Sequence, residues 1–168
     1  MVTDRASRQE VPFRTRRMVE WTILALVVLL LVLVFARQMR IVQGQAELSA
    51  IKTTLGALRT AFVLDHLHKK VAGGATPAPA AQPNPFELLA RYPENYLGVM
   101  SREQAEAAPA AGWVFDPDCV CVGYLPIWPD WLDSPSGDVM AWYRIGGAPG
   151  PLQLTAKEVY VWQGEVLN

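Results

Sequence analysis

Two cysteines are too few to build a disulfide-stapled miniprotein. A net charge of −1 lacks the basic excess of a general nucleic-acid binder. Charged residues are scarce at 18% against 51% hydrophobic ones, which excludes a fully disordered chain. Histidine stops at His66 and His68, so no Ser/His/Asp set can form in the rest of the chain. There is no G-x-S-x-G, no phosphate-binding loop and no C-x-x-C. The two histidines are two apart on a helical stretch and do not share a face. No catalytic, cofactor-binding or metal-ligating residues are therefore expected.

Charge is unevenly placed. Arg5, Arg8, Arg14, Arg16 and Arg17 crowd the start, whereas residues 71–168 hold four basic side chains against eleven acidic ones. Between these regions, Trp21–Ala36 carries one hydroxyl, Thr22, and no charge. Counted from Met18, the run makes about 28 Å of helix, close to the thickness of a bilayer core. No small soluble core hides a helix that is apolar all round. Residues 18–36 are read as a transmembrane helix, preceded by a basic stub at 1–17. Only Arg37 and Arg40 follow the span closely, so the positive-inside rule leaves the N-terminus in the cytoplasm and carries the rest across. The rival reading is a cleaved signal, with Val34-Phe35-Ala36 as the cut and Arg16-Arg17 as a twin-arginine pair. The length of the run and the lack of a helix breaker after it favour a retained anchor. Glu20 sits at the boundary of the span, where it either pairs with a polar group of a neighbouring helix or snorkels beside Arg16 and Arg17.

Residues 37–70 contain no proline and continue as an amphipathic helix. Ile41, Leu48, Leu55 and Phe62 recur every seven residues, with Ile51 and Leu58 between them and Gly44 and Asp65 as weak positions. A stripe this narrow needs a partner. It is either the protein's own C-terminal head or another helix, from a second copy or a different anchored protein. Residues 71–84, with Gly73-Gly74 and three prolines, are a linker.

Residues 85–168 form the head. Asn84 is placed as the N-cap of a short helix over 85–91, with Pro85 at its first position. Trp113–Phe115, Cys119–Leu125 and Val139–Ile145 read as strands, and Leu152–Leu154 with Val159–Trp162 as a fourth that a bulge or turn interrupts. Short strands with short connections predict an antiparallel meander packed on the helix, an α+β architecture. Residues 126–138 make a long loop in which Trp128 and Trp131 either meet a partner or plug the core. Cys119 and Cys121 would lie about 6.5–7 Å apart on a regular strand, so an intrachain bond needs a bulge or turn. Disulfide, buried free thiols, an intermolecular bond and a redox or metal role all stay open for them. Asp116, Asp118, Asp130, Asp133 and Asp138 are loop acids whose spacing fits no EF-hand, so solvated carboxylates are expected and a calcium site is the alternative.

A basic stub, an apolar span, a continuous helix, a linker and a small antiparallel head resemble the layout of type IV pilins and type II secretion pseudopilins. The strings Asn84-Pro-Phe-Glu-Leu-Leu89, Tyr92-Pro93-x-Asn95-Tyr96-Leu-Gly98 and Gly112-Trp-x-Phe115-Asp116 are similar to pseudopilin-like proteins of Gram-negative bacteria. They resemble in particular accessory proteins of MSHA-type (mannose-sensitive haemagglutinin) pilus biogenesis. The resemblance implies a bacterial inner-membrane protein with a periplasmic head and no enzymatic activity. Its partners would be the lipid bilayer and other pilin-like or assembly proteins, or a second copy. Glu20, Ile41, Leu48, Ile51, Leu55, Leu58 and Phe62 would form the helix interface. In that family a glycine precedes the processing site and a glutamate is the fifth mature residue. Glu20 would place the cut at Thr15–Arg16, where no glycine stands, so a membrane-resident assembly component is expected rather than a processed fibre subunit. Two other functions remain: an envelope scaffold that tethers through a coiled coil, and a released periplasmic thiol or binding protein.

Overall fold

The computed structural model describes residues 13–71, 84–147 and 150–167, with side chains from Arg16 onward. The N-terminal stub before Phe13 and most of the 71–84 linker lie outside the described residues. The chain divides into two units, Met1–Gln43 and Gly44–Asn168.

The described part of the first unit is the beginning of helix α1 (Phe13–Val71). Every side chain from Arg16 to Gln43 is exposed. Among the described residues α1 is the one helix long and apolar enough to cross a membrane. The Thr22 hydroxyl donates to the Met18 carbonyl at 2.8 Å, so the single polar group of the run is satisfied within its own helix. The end of α1 carries His68, Lys69 and Lys70, which suit the negative pole of the helix dipole.

In the second unit, α1 from Gly44 onward forms one layer against two sheets. The larger sheet has the order β1 (Tyr96–Val99), β2 (Gly112–Asp116), β3 (Cys121–Leu125), β5 (Ala141–Gly146), β6 (Gln153–Ala156). The smaller one joins β4 (Leu132–Asp133), β7 (Tyr160–Trp162) and β8 (Glu165–Leu167). A long N-terminal helix followed by a small sheet head is thus the observed α+β plan.

The all-antiparallel meander needs correction: β1 and β2 run parallel. Parallel neighbours need a crossover, and the short helix α2 (Arg102–Glu106) supplies it. Its start is a capping box, Ser101 bonding the Gln104 amide while the Gln104 side chain bonds the Ser101 amide. Neither β1 nor α2 figures in the sequence reading. The expected fourth strand is two strands in different sheets, and the expected 85–91 helix is a 3₁₀ turn, Pro85–Leu88. Asn84 caps that turn as expected, its Oδ1 accepting from the Phe86 N–H at 3.1 Å.

The main core forms between α1 and the sheets. Leu48, Ile51, Leu55, Leu58 and Phe62 are buried there with Trp113, Phe115, Tyr124, Tyr143, Tyr160 and Trp162. A second cluster on the other sheet face gathers Ala105 of α2 with Val114, Cys121, Leu125, Met140 and Trp142. Because both faces are covered, β2 and β3 are buried at every position and show no inside–outside alternation.

Candidate functional site

The heptad stripe expected to form a helix interface meets two different fates. Over Leu48, Ile51, Leu55, Leu58 and Phe62 its partner is the protein's own head. Ile41 is 42% exposed and remains on the open part of α1. Glu20 pairs with Arg16 of the same helix (Nε–Oε1 3.6 Å), one turn away.

Where the head begins to cover α1, a polar seam replaces the apolar stripe. Gly44 has no Cβ, and the Gln163 amide occupies the space where one would stand. The Gly44 carbonyl accepts from Trp162 Nε1 at 2.9 Å. Gln163 and Gly164 have φ values of 49° and 89°. They form the two-residue turn of the β7–β8 hairpin, whose twist calls for positive φ at both positions. One turn further along α1, the Glu47 carboxylate is buried. Its Oε1 accepts from the Tyr124 hydroxyl at 2.6 Å and from the Ile127 N–H at 3.0 Å. Its Oε2 is buried without a hydrogen-bond partner among the described residues. Burial first, then the hydrogen bond to Glu47 and its charge, push the Tyr124 phenol well above its ordinary range. Tyr124 is thereby held as a proton donor.

The tryptophans of the 126–138 loop separate beside this seam. Trp131 is buried, its ring 5.8 Å from that of Trp162. Trp128 lies 6.3 Å from Trp131 and is 39% exposed, next to Ile127 at 59%. Of the two loop residues, Trp131 closes the core and Trp128 reaches the surface. The Ile127–Trp128 pair beside Glu47 is the apolar outer rim of the helix–head seam.

Of the five acids expected in loops, Asp116 and Asp138 accept hydrogen bonds, and Asp116 and Asp133 stand at strand ends rather than in loops. Asp138 accepts from Arg102 Nη2 at 2.6 Å and from Lys157 Nζ at 2.7 Å. Arg102 also bonds Glu106 and lies over the Trp142 ring, 5.6 Å from its centroid. Partial burial raises the Asp138 carboxyl, but the Lys157 bond and the two cations outweigh it and hold the group below its usual 3.8. Glu158 is also lowered, chiefly by the Ser134 hydroxyl, and accepts from the amide and hydroxyl of Ser136. Asp116 is buried and accepts from the Asp118 N–H at 2.9 Å. No group of three or more His, Cys, Asp or Glu side chains in metal-holding geometry occurs among the described residues.

The Asp138 trio gives a signed pH dependence. A carboxyl lowered on folding contributes stability that is fully present above its unfolded pKa and is lost as pH falls through the folded one. Stability to urea should therefore decline below about pH 4. The Asp138→Asn variant should be less stable than wild type at neutral pH and should lose less on acidification. Equal slopes in the two proteins would show that the trio contributes nothing to this window.

Cys119 and Cys121 are joined in a disulfide. Strand β3 starts only at Cys121, and Cys119 lies in the Pro117–Val120 turn. Their Cα atoms are 5.2 Å apart, closer than the i, i+2 spacing of a strand. The turn that the pairing requires is made at Val120, with φ 54°. Glu47 escaped the sequence reading, and Gly44 entered it only as a weak heptad position. The available signal was their adjacency: a carboxylate next to Leu48 and a glycine one turn earlier mark a site where backbone packs closely. Compared with protein-family models, curated proteins and solved structures, the chain matches none of them.

Proposed function

We propose that the protein is a non-enzymatic, single-span component of a type IV pilus (MSHA-like) or type II secretion-like filament machinery. It is anchored in the bacterial inner membrane, its N-terminus is cytoplasmic and its head periplasmic. It acts by recognition, through the exposed face of α1 and the surface of the head. The observation that supports this reading most is the double use of α1: one unbroken helix is lipid-like in composition at its start and is the spine of a small sheet head at its end. An envelope tether that works through a coiled coil would need Leu48–Phe62 open, and the head covers those positions.

The test is photo-crosslinking in intact cells from Ile41 and Trp128, followed by identification of the captured chain. The expected products are adducts with other single-span, pilin-like subunits, in a membrane fraction that resists carbonate extraction. External protease should reach the head only after the outer envelope is opened. A mature chain that starts near Arg37 and fractionates as a soluble protein would overturn the assignment.

A further inference from the structure

The two half-cystines of the β2–β3 turn sit in unlike surroundings. Cys119 is exposed in the turn, whereas Cys121 is 7% exposed and packs in the cluster with Met140 and Trp142. Between them, Val120 holds a left-handed backbone, φ 54°. For a β-branched residue this conformation is a genuine outlier. The Val120 carbonyl also accepts from the Ile145 N–H at 3.1 Å, so the turn is tied to β5. Register sets Cys121 directly between Asp116 on β2 and Arg144 on β5. Directly opposed residues project from the same sheet face.

We propose that Cys119–Cys121 is a thiol–disulfide exchange site, open at Cys119 to an external dithiol and driven toward opening by the strained backbone of Val120. A thiolate of the dithiol attacks Cys119 Sγ. The Cys119–Cys121 bond breaks, its electron pair goes to Cys121 Sγ, and this leaves as a thiolate that takes a proton from water. The attacker is now bonded to Cys119. Its second thiol, as the thiolate, attacks its partner sulfur and forms the carrier's own disulfide. Cys119 then departs as a thiolate and is protonated. Two electrons and two protons pass in total from the dithiol to the cysteine pair. The Arg144 guanidinium favours the departing Cys121 thiolate, and Asp116, on the other side, opposes it. Once opened, Val120 is free to leave the left-handed region, and the tie to Ile145 loosens with it. The redox state of the pair thereby sets the shape of the β2–β3 turn. This claim is independent of the filament assignment.

The test uses the full chain in detergent micelles, equilibrated with mixtures of reduced and oxidised dithiothreitol. Free thiols are alkylated and counted by mass, and tryptophan fluorescence reports whether the head is folded. Wild type should open in the folded state. Val120→Gly and Val120→Asn accept the left-handed backbone at little cost and should shift the equilibrium toward the disulfide by about five- to thirtyfold. Glutathione should form its mixed adduct on Cys119. The proposal is overturned by an equilibrium within about twofold of wild type in both variants, by labelling that appears only when the head unfolds, or by an adduct on Cys121.

Discussion

Leu55→Ala is expected to destabilise the head by about 3–4 kcal/mol, whereas Ile41→Ala should change its stability by less than about 0.5 kcal/mol. Both residues belong to one heptad series, and sequence alone treats them alike. In the fold Leu55 is fully buried among the aromatic residues of the sheets, and Ile41 is 42% exposed in the other unit. Truncating a buried leucine forfeits the transfer of its methyl groups and leaves a cavity that tight packing only partly closes. A domain of this size has about 5–15 kcal/mol in hand, so the loss would be plain in a urea titration of the full chain followed by tryptophan fluorescence. If Leu55→Ala costs less than about 1 kcal/mol, the stripe is not committed to the head. Another helix would then be free to use it, and the coiled-coil tether would return.

The difference between Leu55 and Ile41 shows what the sequence carried and what it left open. Periodicity located the stripe to the residue, because a 3.5-residue repeat survives whatever covers it. It does not encode what covers it: a helix from another chain and a sheet from the same chain ask for the same spacing. The apolar span was legible for a simpler reason, that nothing but length and lack of charge is needed to read it. The head was harder. Tyr96–Val99 is a four-residue strand interrupted by a glycine, Gly98, which has φ 113°, and so short a segment offers little alternation to read. The capping box at Ser101 and Gln104 was readable in principle, yet a five-residue helix offers no periodicity to confirm it. Missing that crossover made the sheet antiparallel throughout. The cysteine pair was legible as a constraint, since an i, i+2 bond demands a turn. That Val120 supplies the turn was not legible, because valine is among the residues least suited to it.

The second large effect concerns Glu47 and Tyr124, which are coupled across 77 positions of sequence by one buried hydrogen bond. Tyr124→Phe leaves the carboxylate with only the Ile127 N–H and should cost about 2–3 kcal/mol, the range for losing a hydrogen bond to a charged group. Glu47→Met leaves the Tyr124 hydroxyl and the Ile127 amide without an acceptor and should cost about 2–4 kcal/mol, less whatever is recovered by no longer burying a carboxylate. The double variant removes donor and acceptor together and puts apolar groups of similar size in their place. The Ile127 amide and the Asn95 side chain then lack this partner, so the double should fall short of the sum of the singles by about 2 kcal/mol. The measurement is the double-mutant cycle from urea midpoints at constant slope, with the full chain in micelles. Additivity within about 0.5 kcal/mol would mean that the two groups do not act as a pair. A strong coupling has a structural consequence beyond its size. Apolar burial along Leu48–Phe62 is non-directional and tolerates a sliding helix, but a carboxylate that must meet one hydroxyl and one amide does not. The seam at Gly44 and Glu47 would then fix the register in which α1 runs under its own head.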